Sequence, residues 1–521
     1  MARFLMTVVR GTETEQIPVS GGETILNTLR AEDYREPDAP CGGQGTCKKC
    51  LVTVTGRVRS VEGLGERDVE NTELLACRYY PAGDLTVTLK VKEKMNVVTA
   101  GAGDIAPGGT GLGFAVDIGT TTVAAFLYDL ESGRRLGAEG GRNAQRSYGA
   151  DVISRITCAS VGKLPALRDA VRAQIAALAE DLCKKTGHDK HEIRRIAIAG
   201  NTVMEHLFTG LDPTNIGVAP FTPESLFGDH WKCADCLPEL GIDADVYICP
   251  CVAGYVGGDI TAGLVASGAP EAEGLWLYVD IGTNGEMGLG NAAGFVTCAT
   301  AAGPAFEGAE ISCGMDGSPG AVDKVTAKDG DVTVHVIGEG KAIGVCGSGL
   351  VDAISAMLTV GAVTEAGRML PPEEAPEKVR YRIFRREDDT LAFRLKDDVF
   401  ISAQDIREVQ LAKSAIRAGA ETLLQLQGKT AKDITSLVIA GGFGSFLDKR
   451  SALHIGLLPQ VPLEKIVHVG NAAGAGAALS LADAGEAALQ AFDKKCTYLE
   501  LSSSKEFMEN YVEYMAFDEE E

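Results

Sequence analysis

The sequence predicts an α/β protein in two parts: a small β-rich domain at the N-terminus, then a larger domain in which strands and helices alternate. Three observations carry this prediction. Apolar residues alternate through residues 1–92, a glycine-rich break follows at 93–112, and strand patterns beyond it are separated by long amphipathic helices. In the first part RFLMTVV and EQIPVS read as strands, ETILNTLRAE as a short helix, and CLVTVTG and DLTVTLKV as further strands. A mixed sheet with one helix across it fits that order. KEKMNVVTAGAGDIAPGGTG at 93–112 has no periodicity and is expected to be a flexible linker, spanning roughly 25 Å on average. In the second part GFAVDIG, IRRIAIAG, LWLYVDIG and SLVIAGG read as strands, and LPALRDAVRAQIAALAEDLCKK and DIREVQLAKSAIRAGAETLLQLQ keep helical spacing. YLELSSSKEFMENYVEYMAFDEEE closes as a last strand and helix with a solvated acidic tail.

A chain of 521 residues can bury a core without disulfides. Its 63 glycines exceed the ~7% usual in globular proteins, which signals many tight turns. A formal net charge of -23 would repel a phosphate backbone, so no nucleic acid is expected as a partner. No stretch approaches the ~18 apolar residues of a membrane span, and none is expected to enter a membrane. The nearest, AAGAGAALSLA at 472–482, is built of small residues and closed by Asp483, and should be a closely packed helix. The start MARFLMTVVRG lacks a signal-peptide core, so the 14 cysteines are expected to be reduced in a cytoplasmic protein.

Cys41, Cys47 and Cys50 stand in CGGQGTCKKC, spaced C-x5-C-x2-C, and Cys77 follows in ELLACRYY. Four thiolates suit a [2Fe-2S] cluster, three from a glycine-rich loop that bends round it and one from a distant turn. Zinc sites of four cysteines usually use two C-x2-C pairs, and Cys77 has no near partner. Over residues 1–92 the sequence resembles the ferredoxin domain in its β-grasp form, with a loop one residue longer than the plant-type x4 spacing.

VDIGT occurs at 116–120 and again at 279–283, each time ending an apolar strand and opening a tight turn. In that setting Asp117 and Asp280 can hold a hydrated Mg2+, glycine lets backbone approach a phosphate, and threonines offer hydroxyls and amides to its oxygens. A hairpin turn alone would explain one copy, but not two identical copies after apolar strands. VIAGGFGSFLD at 438–448 is a third strand running into a glycine-rich turn, with room for a purine or ribose against bare backbone.

This order of turns resembles the actin, sugar kinase and heat-shock-protein-70 ATPase superfamily. The resemblance implies a two-lobed actin-like (ribonuclease H-like) ATPase domain over 113–490, with lobes near 113–270 and 271–470, and 491–521 as a C-terminal strand, helix and tail. It implies that Asp117 and Asp280 are the phosphate-loop aspartates. Gly119, Thr120, Thr121, Thr122, Gly282, Thr283, Asn284 and Gly285 then form the phosphate cradle, with Asn201 from the first connecting segment. Gly441, Gly442, Phe443 and Gly444 form the adenosine motif. AIAGNTVMEHLFTG and VGNAAGAGAAL look like the connecting segments at which the lobes hinge.

The combination is narrower. A [2Fe-2S] domain fused to such an ATPase, with NTVMEHLFTGLDP, YVGGD, AAGPAFEG, CGSGLVDAI and GGFGSFLD in order, resembles the reductive activators of corrinoid proteins. That resemblance implies ATP-dependent delivery of one electron to a Co(II) corrinoid protein of a methyltransferase system, returning it to Co(I). The cofactors implied are a [2Fe-2S] cluster, ATP and Mg2+. The partners are the corrinoid protein and an external low-potential electron donor, with a homodimer among the assemblies left open. Larger members carry an extra domain where this chain has its linker. The alternatives are a small-molecule kinase with a redox-sensing cluster, and an electron donor to a non-corrinoid metalloenzyme.

Several residues could mislead. Cys233, Cys236, Cys249 and Cys251 follow no common zinc spacing and read as packed thiols. Asp259 either caps a helix or positions the attacking water, and Glu286 and Glu307 either approach the γ-phosphate or face solvent. His206 reads as a satisfied interior side chain.

Overall fold

A computed structural model describes residues 3–89, apart from 33, 35, 36, 38, 40–42, 44, 46, 47 and 64, and residues 101–518. The N-terminal domain contains β1 (Arg3–Arg10), β2 (Glu13–Ser20), α1 (Ile25–Ala31), β3 (Leu51–Ser60), β4 (Glu66–Leu75) and β5 (Tyr79–Leu89). Its sheet runs β2-β1-β5-β3-β4, with β1 parallel to β5 and the other pairs antiparallel. Thr24 caps α1 by accepting the Asn27 amide, and Ile25, Leu26 and Leu29 turn inward to the sheet's apolar face. Sequence reading missed β4. ERDVENTELL is charged because it lies at the sheet's edge, where exposed polar side chains protect against further pairing.

The second part opens with β6 (Leu112–Ile118), β7 (Thr122–Asp129), β8 (Arg135–Arg142), α2 (Val152–Cys158) and α3 (Leu164–Thr186). β9 (Ile193–Gly200), α4 (Thr202–Thr209), β10 (His230–Lys232), α5 (Cys233–Cys236), β11 (Asp245–Ile248) and α6 (Gly258–Ala266) complete the first lobe's run. The second lobe begins with β12 (Leu275–Ile281), β13 (Gly285–Asn291) and β14 (Gly294–Thr300). Then come β15 (Ala321–Lys328), β16 (Asp331–Val336), β17 (Gly344–Val345), α7 (Gly347–Thr359), β18 (Ile383–Arg385), β19 (Leu391–Lys396) and β20 (Val399–Ser402). The remainder is α8 (Ala403–Leu426), β21 (Ile434–Ala440), α9 (Lys449–His454), β22 (Ile466–Gly470), α10 (Ala472–Leu479), α11 (Asp483–Asp493), β23 (Cys496–Tyr498) and α12 (Lys505–Glu513).

One architecture occurs twice. In the first lobe β6, β7 and β8 form an antiparallel meander, and β9 and then β11 add to β6 in parallel. In the second, β12, β13 and β14 repeat the meander, and β21 and then β22 add to β12 in parallel. The lobes meet through α6 and α10, where a side chain on Gly476 would put its Cβ 2.2 Å from the Ala262 carbonyl oxygen. Bare backbone there lets the two helices approach closely.

Two expected boundaries need correction. The second half of the supposed linker is packed: Ala102 and Ile105 are buried, and the Ile105 amide donates to the Gly133 carbonyl at 2.8 Å. Residues 93–100 lie outside the described residues. The segment 491–521 does not stand apart, since β23 extends the second lobe's sheet beside β14 and α12 packs on α8. Helix α10 packs on β6 and β9, so the last part of the ATPase-like region returns to the first lobe.

The distracting residues are structural. His206 is fully buried, donates through Nδ1 to the Thr202 carbonyl at 2.7 Å and accepts the Glu224 amide at Nε2, and burial lowers its pKa. Cys233 and Cys236 are buried, donate to the Leu237 and Lys232 carbonyls, and burial pushes their thiols up to about 11 and about 12. Cys251 donates to Glu205 at 2.9 Å inside the core, and Cys249 is buried near it.

Candidate functional site

The duplicated architecture places Asp117 and Asp280 at equivalent positions. Each is the last residue but one of its lobe's central strand, Asp117 opposite Ala199 of β9 and Asp280 opposite Ala440 of β21. Both turns open into one cavity of about 280 Å3 between the lobes. Its lining includes Asp117, Gly119, Thr120, Thr121, Thr122, Asn201, Asp259, Asp280, Gly282, Thr283, Asn284, Gly441, Gly442 and Phe443.

Neighbouring amides hold the first turn. Asn143 donates to the Gly119 carbonyl at 2.8 Å, and Asn201 donates to the Thr120 hydroxyl at 2.9 Å while accepting the Met204 amide as the cap of α4. The two turns are tied to each other by Glu307. A single oxygen of that carboxylate accepts the Thr121 hydroxyl at 2.8 Å and the Thr283 hydroxyl at 3.0 Å. The loop that carries Glu307, between β14 and β15, crosses the cleft a second time, where Asp316 pairs with Arg142 of β8. Gly308, at φ 74°, makes the bend after Glu307; a side chain on it would place its Cβ 2.7 Å from the Met315 amide nitrogen.

Carboxyl groups crowd the floor. Asp117, Asp259 and Asp280 are half-buried, each with an edge on the cleft, and Glu286 is buried. Burial pushes the Asp117 carboxyl up to about 6, against a hydrogen bond from the Asn471 amide at 2.8 Å. Asp280 rises to about 7, first by burial and then by the charge of Asp117. Asp259 and Glu286 are raised well above the carboxylate range by burial and then by neighbouring carboxylates. The two lobes differ here: the residue opposite Asp280 across the meander is Glu286, whereas the residue opposite Asp117 is Ala124. Like charges directly opposite in a sheet are destabilising, so such a pair fits a site that receives a cation. Among the described residues no three His, Cys, Asp or Glu side chains converge to ligate a metal directly. The carboxylates that line the cleft, Asp117, Asp259, Asp280 and Glu286, are oxygen donors of the kind a hydrated divalent ion takes through its waters.

The other half of the cavity is neutral and flat. Gly441 adopts φ +88° with its Cβ position 2.5 Å from the Asp280 carboxylate, so only glycine fits between β21 and the aspartate. The Phe443 ring stacks on Phe306 with centroids 5.1 Å apart and planes 9° apart, and Phe446 stands 71% exposed at the rim. Helix α7 points its N-terminus into the cleft through Cys346, Gly347 and Ser348, with no side chain capping it. Amides at such a helix start attract anions.

One expected cradle residue, Gly285, and one expected residue of the adenosine motif, Gly444, lie outside the cavity lining. Gly285 faces Ile416 and Thr300, where a Cβ would sit 2.8 Å from each, and Gly444 lies against Ile439; both are small for packing. The structure adds Asn471, Phe306, Asp316, Ser348 and Phe446, and brings the ambiguous Glu286 and Glu307 to the site. The glycines of CGSGLVDAI opening a helix were a usable signal for α7.

In the N-terminal domain Cys50 precedes β3 and Cys77 lies in the turn after β4. The Ala76 amide donates to the Cys50 carbonyl at 2.8 Å, and the two buried sulfurs are 3.2 Å apart. Two converging thiols in an apolar shell, on elements tied by backbone, fit half of a four-thiolate cluster site. Cys41 and Cys47 lie outside the described residues. No described helix is long and apolar enough to cross a membrane.

Comparisons agree with this division. Residues 8–82 match the 2Fe-2S iron-sulfur cluster binding domain, 112–271 the RACo middle region, and 274–521 the C-terminal domain of RACo, the ASKHA domain. The chain is 31% identical to the corrinoid activation enzyme RamQ of Eubacterium limosum, covering 96% of this chain and 97% of that one. It is 26% identical to the [Co(II) methylated amine-specific corrinoid protein] reductase of Methanosarcina barkeri, over 54% of each. A solved structure of a reductive activator for corrinoid, iron-sulfur protein superposes with a TM-score of 0.70 at 30% identity, covering 98% of both chains.

Proposed function

Because this chain belongs to the family of reductive activators of corrinoid proteins, we propose that it couples Mg-ATP binding and hydrolysis between its lobes to one-electron reduction of a Co(II) corrinoid protein. Cys41, Cys47, Cys50 and Cys77 would hold the [2Fe-2S] cluster, which would supply a one-electron donor re-reduced by an external low-potential electron donor. The observation that carries the reading is a convergence in one chain: paired thiols in a ferredoxin-like domain, and two matching Asp turns facing one cleft in the other.

The residues divide the work by chemistry. Thr120, Thr121, Thr122, Thr283 and Asn284 offer hydroxyls and amides to phosphate oxygens, and the start of α7 adds backbone N–H groups. Asp117 and Asp280 would hold the hydrated Mg2+, and Asp259, which lies inside the first turn of α6 while Gly257 is its cap, would position the attacking water. Burial raises the pKa of all three carboxyls, and a divalent cation in the cleft would relieve that cost. Gly441, Gly442 and Phe443 make the flat wall for adenosine. Each ~100 mV of uphill transfer for one electron costs about 2.3 kcal/mol. A nucleotide that favours one lobe arrangement by ~5 kcal/mol switches a two-state population almost completely. Lobe closure on that scale can hold the corrinoid partner where cobalt is easier to reduce.

The test mixes reduced protein with Co(II) corrinoid proteins, with and without ATP, and follows cobalt by absorbance. Co(I) is expected only with ATP, and Asp117→Ala should abolish it while leaving the cluster spectrum unchanged. Phosphorylation of a metabolite with no Co(I) formed on any methyltransferase partner would replace this reading with a kinase.

A further inference from the structure

Behind the first phosphate turn lies a cation with no part in the chemistry above. Arg155 of α2 is fully buried, yet among the described residues no carboxylate is in ion-pair contact with it. Its donors reach neutral acceptors: Nε the Gly149 carbonyl at 3.0 Å, Nη1 the Gln145 amide oxygen at 3.3 Å and the Met204 sulfur at 3.0 Å, and Nη2 the Thr120 carbonyl at 2.5 Å. Burial lowers its pKa to about 9, which still leaves it charged at neutral pH. A buried charge without a counter-ion is costly, so one is expected close by.

The direction of the Thr120 contact matters. In a trans peptide the carbonyl and the following amide point opposite ways, so a guanidinium on the Thr120 carbonyl leaves the Thr121 N–H facing away from Arg155. Hydrogen bonds in series polarise one another, which makes that amide a stronger donor. Thr121 lines the cleft, and its hydroxyl already donates to an anion, the Glu307 carboxylate, which also takes the Thr283 hydroxyl from the opposite lobe. Glu307 and Asp151 are the carboxylates whose charge acts on Arg155 through space.

We propose that Arg155 is a positioning residue that charges the first phosphate turn from behind, and that a nucleotide phosphate completes its charge balance by taking the Thr121 and Thr283 hydroxyls from Glu307. The inference rests on the nucleotide reading above. Glu307 is thus an internal competitor whose displacement is part of nucleotide entry, and its loop, also held by Asp316 on Arg142, carries that exchange across both lobes.

The test uses the full chain with its cluster loaded and measures Mg-ADP and Mg-ATP binding by calorimetry, with melting curves taken without nucleotide. Arg155→Lys and Arg155→Met both lose the planar fork, lysine keeping a charged donor and methionine none, and the melting curves establish that each variant is folded before their binding is compared. The lysine variant keeps the charge and should bind Mg-ATP about tenfold more tightly than the methionine variant, by the premium for charge-assisted bonds. Equal affinities in the two variants would overturn the proposal, since a purely structural role depends on the fork alone. Glu307→Gln should tighten Mg-ATP binding by about threefold, as a weakened competitor in the charge-assisted range. Weaker binding in that variant would also overturn the proposal, and this arm decides the matter if neither Arg155 variant folds. A wild-type chain that binds no Mg-ATP would instead overturn the nucleotide reading, and this inference with it.

Discussion

Asp280→Asn measures how much charge the cleft confines. The ordinary carboxyl value of 3.8 is raised to about 7 at Asp280, by burial and then by Asp117. Between those limits the folded chain keeps a proton that the unfolded chain has released. Stability linked to this group is therefore fully present below the unfolded value and is lost as pH rises through about 7. At ~1.36 kcal/mol for each pH unit, the ionised side chain would cost about 4 kcal/mol at pH 8 if it were fully enclosed. Its cleft-facing edge meets solvent, and screening reduces the expected figure to about 1–3 kcal/mol. Asparagine is neutral and nearly the same shape. Without divalent ions the variant should be more stable than wild type by that amount at pH 8 and equal to it near pH 4. In melting curves this is a rise of a few degrees, since ~1 kcal/mol moves Tm by about 2–4 °C for domains of 150–250 residues. Added Mg2+ should stabilise the wild type and do little for the variant. A variant less stable than wild type at pH 8, or a difference that does not change with pH, would refute the reasoning.

Two further outcomes follow from the packing. Cys77→Ser should remove the visible absorbance of the cluster and all corrinoid reduction while leaving Mg-ADP affinity within about twofold, because the cluster ligands belong to the N-terminal domain and ligand loss acts on the cluster itself. Deleting residues 515–521 should lower the second lobe's unfolding free energy by about 3–5 kcal/mol, read in urea by fluorescence. The deletion removes buried Phe517 from the core, and it takes the Ala516 carbonyl from the fully buried Lys413 and Asp518 from Arg417.

Much of the fold was legible because strand and helix periods are local. IRRIAIAG and SLVIAGG read as buried strands, and they are the strands that add to β6 and β12. The edge strand β4 was illegible because its side chains face water and carry no apolar alternation. Residues 101–111 looked like linker for a related reason: glycines without periodicity are as compatible with an extended segment packed on a domain as with a free one. Gly285 and Gly444 belonged to glycine-rich strings in the sequence, but only the packing of Ile416, Thr300 and Ile439 shows why those positions must be small. Glu286 was ambiguous because its meaning depends on register, which sets it opposite Asp280 while the equivalent place in the first lobe holds Ala124.

By itself the sequence determined the chemistry: a thiol set with cluster spacing, and two identical turns carrying aspartate, glycine and threonine. Those signals survive in one dimension because each lies within a few residues of chain. The tertiary structure decided which groups act together. Thr121 and Glu307 are 186 residues apart and Thr283 is 24 from Glu307, yet one carboxylate oxygen joins all three. Folding a duplicated meander around a shared cleft brings those charges and hydroxyls within hydrogen-bonding reach, and no local pattern encodes that distance.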